Sequence, residues 1–168
     1  MLRSRRRSLA TRPPLLAEST LVIVAVPERL AAVHEALERF WATLDRVLPS
    51  RLQEAMRLQF ATAVIEIANN IVQHAYPPGS APGLLQLQLR CYADRVEARF
   101  TDRGGAYALP PALPSPLESE GGGIMELPEA GMGLLIARAA LDRLDYQRDQ
   151  RGTNRWRLVK WFAEPAEH

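Results

Sequence analysis

The stretch Val64-Ile-Glu-Ile-Ala-Asn-Asn-Ile-Val-Gln-His-Ala-Tyr76 reads as part of a helix with two unlike faces. Ile67 and Ile71 continue an apolar stripe begun by Leu52, Ala55, Met56 and Ala63. Glu66, Asn70 and His74 lie four residues apart, so they project from one side, flanked by Asn69 and Gln73. A solvated helix face usually carries Lys and Glu pairs. From Ala61 to Tyr76, Glu66 is the only charge unless His74 takes a proton. A polar stripe with so little charge points to a bound group more than to water. An Asn oxygen one turn from a carboxylate suits magnesium, which takes hard oxygen ligands, keeps several waters and is shared with phosphates. The carboxylate can then orient or deprotonate a group attacking a phosphate.

Before this helix, Thr20-Leu-Val-Ile-Val-Ala-Val26 is rich in β-branched residues and predicts a strand ending at Pro27. Pro27 suits a first helical turn, and Leu30, Val33, Leu37, Phe40, Trp41 and Leu44 recur at helical spacing. Pro49 and Ser50 break that helix, with Ser50 placed to cap the next, which runs from Arg51 to Tyr76 and stops at Pro77-Pro78-Gly79. After it, Leu84-Leu-Gln-Leu-Gln-Leu89 and Arg95-Val-Glu-Ala-Arg-Phe100 alternate, with a turn at Ala93-Asp94, as a hairpin requires.

From residue 103 to 130, Pro110, Pro111, Pro114, Pro116 and Gly121-Gly122-Gly123 predict a long loop without regular structure, a length that is usually functional. Gly131-Met132-Gly133 opens a short helix carrying Leu134, Leu135, Ala139 and Leu141 to Leu144. Tyr146 to Gln150 and Thr153 to Phe162 close the chain as an antiparallel pair turning at Arg151-Gly152. Strands segregated from helices in this order predict an α+β two-layer sandwich, with helices on one face of a mainly antiparallel sheet.

The 168 residues suit one domain with a real core. Residues 19–162 are expected to form it, between a basic, disordered tail (1–18) and a short C-terminal tail (163–168). The formal net charge is +2, and Arg3, Arg5, Arg6, Arg7 and Arg12 supply much of the basic excess. The linear sequence shows no basic stripe on the body, so no direct nucleic-acid contact is expected. Cys91 is the only cysteine, which excludes a disulfide framework, and its place in a strand predicts a core residue. No apolar run is long enough to span a bilayer, and Pro13, Pro14 and Glu18 interrupt any signal-peptide core, so the chain is read as cytoplasmic with no membrane partner.

Three weaker signals follow the polar helix in order. Thr101-Asp102-Arg103-Gly104-Gly105 ends a strand with a carboxylate able to accept from an exocyclic amine and glycines that admit a ligand to the backbone. Gly131-Met132-Gly133 gives bare N–H groups at a helix start, an anion-binding arrangement. Gly152-Thr153 places a hydroxyl that could support Asp102 through a water.

In combination, these motifs resemble the Bergerat-type ATP-binding fold of gyrase, Hsp90-type chaperones, histidine kinases and DNA-mismatch-repair ATPases. More closely, they resemble the stand-alone anti-sigma factor serine-protein kinases of bacterial partner switching, whose first ATP box is similar to residues 64–76 down to the closing His-Ala-Tyr. The resemblance covers residues 19–161. It implies Mg-ATP as cofactor, Glu66 as general base and Asn70 as magnesium ligand. It implies Asp102 on the adenine amino group, Gly104 shaping the adenine pocket, Gly131, Met132 and Gly133 meeting phosphate, and Thr153 behind Asp102. It also implies kinase activity on a Ser or Thr of a STAS-type anti-sigma-factor antagonist, a sigma factor as a second partner, and leaves a homodimer open. One departure stands out. The family's lid between the second and third boxes often carries basic residues, whereas residues 106–130 hold no Lys or Arg and include Glu118, Glu120, Glu126 and Glu129. That departure keeps a non-catalytic ATP-binding module as the alternative. A detached histidine-kinase catalytic domain ranks last, because no dimerisation helix pair with a phosphoacceptor His is visible.

Overall fold

A computed structural model of the chain describes residues 13–49, 52–107 and 129–162, without the side chains of 129–131. The expected cap at Ser50, the first twelve residues, the loop acids Glu118, Glu120 and Glu126, and residues 163–168 lie outside the described residues.

Five strands form one antiparallel sheet: β1 (Leu15–Val24), β2 (Leu84–Tyr92), β3 (Arg95–Asp102), β4 (Arg143–Arg148) and β5 (Asn154–Trp161), in the order β1-β2-β3-β5-β4. Helices α1 (Ala31–Val47), α2 (Glu54–His74) and α3 (Glu129–Ala140) pack on one face, the α+β sandwich that the alternation predicts. Alternate residues of the sheet face the helices: Leu85, Leu87 and Leu89 of β2, Val96, Ala98 and Phe100 of β3, and Trp156 and Leu158 of β5 are all buried. Against them α2 buries Phe60, Ala63, Val64, Ile67, Ala68 and Ile71, and α1 buries Val33, Leu37, Phe40 and Leu44. Cys91 belongs to this core; burial first, and Asp94 second, push its thiol up to about 11, so it packs rather than reacts.

Some boundaries differ from those the sequence predicts. β1 begins at Leu15, so Leu15–Glu18 of the expected tail belong to the sheet, where Glu18 lies opposite Arg90. A register shift between Leu15 and Ala17 breaks the alternation that would have announced it. Pro27–Arg29 is a 3-10 turn ahead of α1. α3 starts two residues before Gly131, and the segment from Leu141 to Leu144 read as helix instead turns into β4, where Leu144 pairs with Leu158. Among the described residues, no helix is long and apolar enough to cross a membrane.

The outer sheet face bears on another expectation. Arg90, Arg95, Arg99, Arg143, Arg155 and Arg157, scattered in the sequence, converge there around a groove of about 650 Å³. The folded body gathers arginines on one face, where Glu18, Asp94, Glu97, Asp145 and Asp149 pair with them. At its centre Glu97 is completely buried and accepts from Arg95 Nε (2.6 Å), Arg157 Nη2 (2.6 Å) and Arg99 Nη2 (3.3 Å). Burial alone would raise its carboxyl, but the hydrogen bonds and charges of Arg157 and Arg95 more than offset that and hold it at about 2.

A carboxyl depressed in the folded state stabilises it fully above the ordinary carboxylate range and loses that contribution as pH falls from there through about 2. Removing the charge takes a shared carboxylate from three guanidiniums, of which Arg95 keeps Asp94, a loss of about 3–5 kcal/mol. Glu97→Gln should therefore lower Tm at pH 7 by on the order of 10 °C, with a flatter Tm profile between pH 4.5 and pH 2 than the parent. Thermal melts across that range check it; equal slopes would show that Glu97 does not carry the acid sensitivity.

Candidate functional site

The polar stripe of α2 sits at the centre of the helical layer, where bare backbone approaches it from two sides. Asn70 is buried, Glu66 and Asn69 are half-buried, and Gln73 and His74 are exposed. Gly133 of α3 lies directly on this stripe. A Cβ at position 133 would overlap Glu66 Oε2 and come within 3.7 Å of Asn70 Oδ1. Only glycine lets α3 sit so close. Two residue groups 63 or more positions apart in sequence therefore meet here.

Asn70 Nδ2 is buried and has no hydrogen-bond partner. Leaving a buried donor unmade costs about 1–3 kcal/mol, so such a group calls for an explanation. Beside a half-buried carboxylate and a glycine backbone, the amide fits a site for a polar ligand. The donor set also fits magnesium shared with phosphates, to which the protein contributes one or two oxygens. Among the described residues no group of three or more His, Cys, Asp or Glu is arranged to hold a metal by itself.

At the C-terminal end of α2 the second approach occurs. The Ala75 carbonyl, an orphan of the helix end, accepts from Gly105 N at 2.6 Å. A Cβ at Gly104 would overlap the Ala75 carbonyl oxygen and its Cβ. The turn after β3 is thereby clamped onto the helix that bears Glu66 and Asn70. Asp102 is buried, and its Oδ1 accepts from Gly104 N (2.8 Å) and Asn154 Nδ2 (2.8 Å). Both bonds fall on Oδ1.

Sequence patterns do not reveal the residues that hold this turn. Asn154 Nδ2 also donates to the carbonyl of Gly105 (3.0 Å), while Asn154 Oδ1 accepts from Tyr146 Oη (2.7 Å) and Arg148 Nη1 (2.8 Å). Arg148 Nη1 donates to the Gly104 carbonyl at 2.8 Å, and Tyr146 Oη accepts from Tyr107 N at 2.9 Å. Asn154 faces Asp102 across β3–β5 and Arg148 across β4–β5, a placement that only strand register reveals. Thr153 is buried next to it, with its backbone N–H donating to Asp149 Oδ1 at 3.0 Å. Gly152, at φ +79°, makes the hairpin turn that sets this register. Tyr107, Tyr146 and Trp156 form an aromatic wall, with Tyr107 and Trp156 edge to face at 4.9 Å. Met132 is exposed on α3, one residue from the contact with Glu66, and Gly131 lies in the same helix. The fold thus gathers Glu66, Asn70 and Gly133 at one end, and Asp102, Gly104 and Thr153 at the other.

A family model described as the histidine kinase-like ATPase domain matches residues 23–159. Serine-protein kinase RsbW of Halalkalibacterium halodurans is 32% identical over 88 residues, 52% of this chain and 52% of the relative. Serine/threonine-protein kinase BtrW of Bordetella bronchiseptica is 33% identical over 101 residues, 60% of this chain and 68% of the relative. The match with the first of these curated relatives spans only about half its length. Among solved structures, that of the RsbU and RsbW domains of Rv1364c from Mycobacterium tuberculosis matches 90% of this chain and 33% of its own. Its TM-score is 0.57 at 16% identity, a likeness of fold alone.

The two close approaches predict opposite responses to a methyl group. At Gly133 the new Cβ meets the end of a side chain that can rotate, and alanine gains about 1 kcal/mol of helix propensity. Gly133→Ala should leave Tm within a few degrees of the parent. At Gly104 the Cβ meets backbone, which cannot move away, so Gly104→Ala should cost about 1–3 kcal/mol. Paired thermal melts decide this, and equal losses would mean that α3 is not seated on the Glu66 side chain.

Proposed function

The chain belongs to the histidine kinase-like ATPase domain family, and we propose that within it the chain is an ATP-dependent protein kinase of bacterial partner switching. It would transfer the γ-phosphate of Mg-ATP to a Ser or Thr of a small STAS-type anti-sigma-factor antagonist. A sigma factor would be the second partner, bound in the cytoplasm. The observation that carries this reading is the pairing of Glu66 with the buried, incompletely bonded Asn70 under the backbone of Gly133.

When bound, Mg-ATP would supply the phosphoryl group and a divalent charge to offset the phosphates. The chain's own residues bind and orient. Asp102 Oδ2 accepts from the exocyclic amine of adenine, with Oδ1 already tied to Gly104 and Asn154 so that the carboxylate cannot swing. Thr153 supports that carboxylate through a water. Gly104 keeps the pocket floor thin enough for the base to lie against backbone. The first-turn N–H groups of α3, Gly131 and Met132 among them, would face phosphate, where the helix dipole favours negative charge, and Gly133 in the next turn would keep the backbone open to the ligand. Asn70 Oδ1 holds the metal, and Glu66 accepts the proton of the attacking hydroxyl.

One observation favours a second reading. Residues 106–130 hold no Lys or Arg, and a cation that meets transferring phosphate contributes orders of magnitude in rate elsewhere. A module that binds ATP and sequesters a protein partner without transfer is consistent with that composition.

Incubation with labelled ATP and a candidate antagonist domain, read by mass spectrometry at the acceptor Ser or Thr, separates the two readings. The kinase reading predicts transfer by the parent, with Glu66→Gln keeping ATP affinity within several-fold and losing at least about 100-fold in transfer rate. ATP binding without transfer by the parent would establish the binding module instead. Equal transfer by parent and Glu66→Gln would remove Glu66 from the general-base role.

A further inference from the structure

Asn154 stands between the buried carboxylate of Asp102 and two donors of β4. Its Oδ1 accepts from Tyr146 Oη and Arg148 Nη1, and its Nδ2 donates to Asp102 Oδ1 and to the Gly105 carbonyl. The orientation of this amide is forced. A guanidinium can only donate and a backbone carbonyl can only accept, so the two ends of the amide cannot be exchanged. The Tyr146 hydroxyl is fixed in the same sense. It accepts from Tyr107 N at 2.9 Å, and because Asn154 Oδ1 has no proton to give, its own proton goes to that oxygen at 2.7 Å. The hydrogen bonds therefore run one way, from Tyr107 N–H through Tyr146 and Asn154 to Asp102.

From this one-way network we infer that Asn154 sets the base specificity of the nucleotide site, as a positioning residue acting through Asp102. The inference rests on the reading of Asp102 as the carboxylate that meets the base. Asp102 Oδ1 takes two bonds, from the Asn154 amide and from Gly104 N, and both partners can only donate to it. Two bonds on one oxygen fix the plane of the carboxylate and present it to a base as an acceptor. That suits the exocyclic amine of adenine and opposes the 6-oxo group of guanine. Asp102 and Asn154 are each 2% exposed, so bulk water does not freely replace a donor lost between them. They are 52 positions apart in the chain and meet because β3 and β5 pair them directly.

A purely structural role would be to tie down the turn, since Nδ2 also bonds the Gly105 carbonyl. The turn has ties that do not involve Asn154, however. Gly105 N donates to the Ala75 carbonyl at 2.6 Å, and Arg148 Nη1 donates to the Gly104 carbonyl at 2.8 Å. The two roles separate by ligand. A loosened turn weakens every purine nucleotide alike, whereas a lost donor on Asp102 weakens those that present an amine to it.

Isothermal calorimetry of the whole chain with magnesium and three probes tests the inference: ATP, GTP, and purine riboside triphosphate, which lacks the amine. Asn154→Asp keeps the shape and the acceptor facing Tyr146 and Arg148 but sets a second carboxyl against Asp102. Two carboxyls so placed share a proton, which can then be offered to a 6-oxo group. The expected result is ATP affinity at least about tenfold weaker, purine riboside triphosphate within about threefold of the parent, and a preference for ATP over GTP reduced at least about tenfold. Asn154→Ala should lose the same preference for ATP over purine riboside triphosphate without the gain for GTP. It decides the matter if the Asp variant melts early, because it buries no second charge. Preference for ATP retained in a folded variant overturns the inference, and so does equal weakening of all three probes, which would leave Asn154 a support of the turn. Binding of none of the probes by the parent overturns the nucleotide reading and this inference with it, whereas parental selectivity that survives both substitutions overturns the inference alone.

Discussion

One helix is approached at bare backbone from two directions, and the rest of the site follows from that. Gly133 lies on Glu66 and Asn70, while Gly104 and Gly105 lie on Ala75 at the end of the same helix. A Cβ at Gly104 would meet backbone, and one at Gly133 would push the Glu66 carboxylate from its place. α2 can serve as the common wall because its other face is anchored in the sheet through Phe60, Ile67 and Ile71, each worth about 1.5–3 kcal/mol of burial. A rigid helix with a polar stripe then fixes where a carboxylate and an amide stand relative to a glycine of α3 and a glycine turn after β3, which the sequence separates widely.

The two ends of the site are held by different physics. At the α3 end the contact is steric, backbone against side-chain oxygen, and Asn70 keeps a buried donor without a partner. At the β3 end the contact is polar and nearly complete. Asn154, Arg148 and Tyr146 bond to one another, to Asp102 or to the carbonyls of Gly104 and Gly105, so the turn has little freedom. Satisfied polar networks of this kind rigidify what they hold. On the proposed reading, the preformed end would receive the base and the less satisfied end the phosphates and metal, which bring their own charge and ligands.

The sandwich is legible in the sequence because strand alternation and helix periodicity are local. Gln86 and Gln88, set between Leu85, Leu87 and Leu89, mark the solvent side and the buried side of β2 by alternation alone. The Glu66–Asn70 pair is legible for the same reason, since i and i+4 share a helix face. The start of β4 is not, because Leu141 and Leu144 have a spacing that also suits a helix, and only the pairing of Leu144 with Leu158 settles it. Asn154 and Arg148 are hidden because their role depends on the register of three strands. The arginine-lined outer face is hidden by the same cause: Arg90, Arg99 and Arg157 look isolated in the chain and become neighbours only when β2, β3 and β5 align.

The central claim is that this helix, Gly133 of α3 and the Gly104–Gly105 turn hold a magnesium-bound adenine nucleotide. Isothermal calorimetry of the whole chain with ATP and with GTP, each with magnesium and with chelator, tests it most directly. The account predicts saturable ATP binding that weakens at least about tenfold when magnesium is removed, and GTP binding weaker still, because Asp102 accepts from an amine that guanine does not present there. No heat with ATP and magnesium, or equal affinity for ATP and GTP, would contradict it.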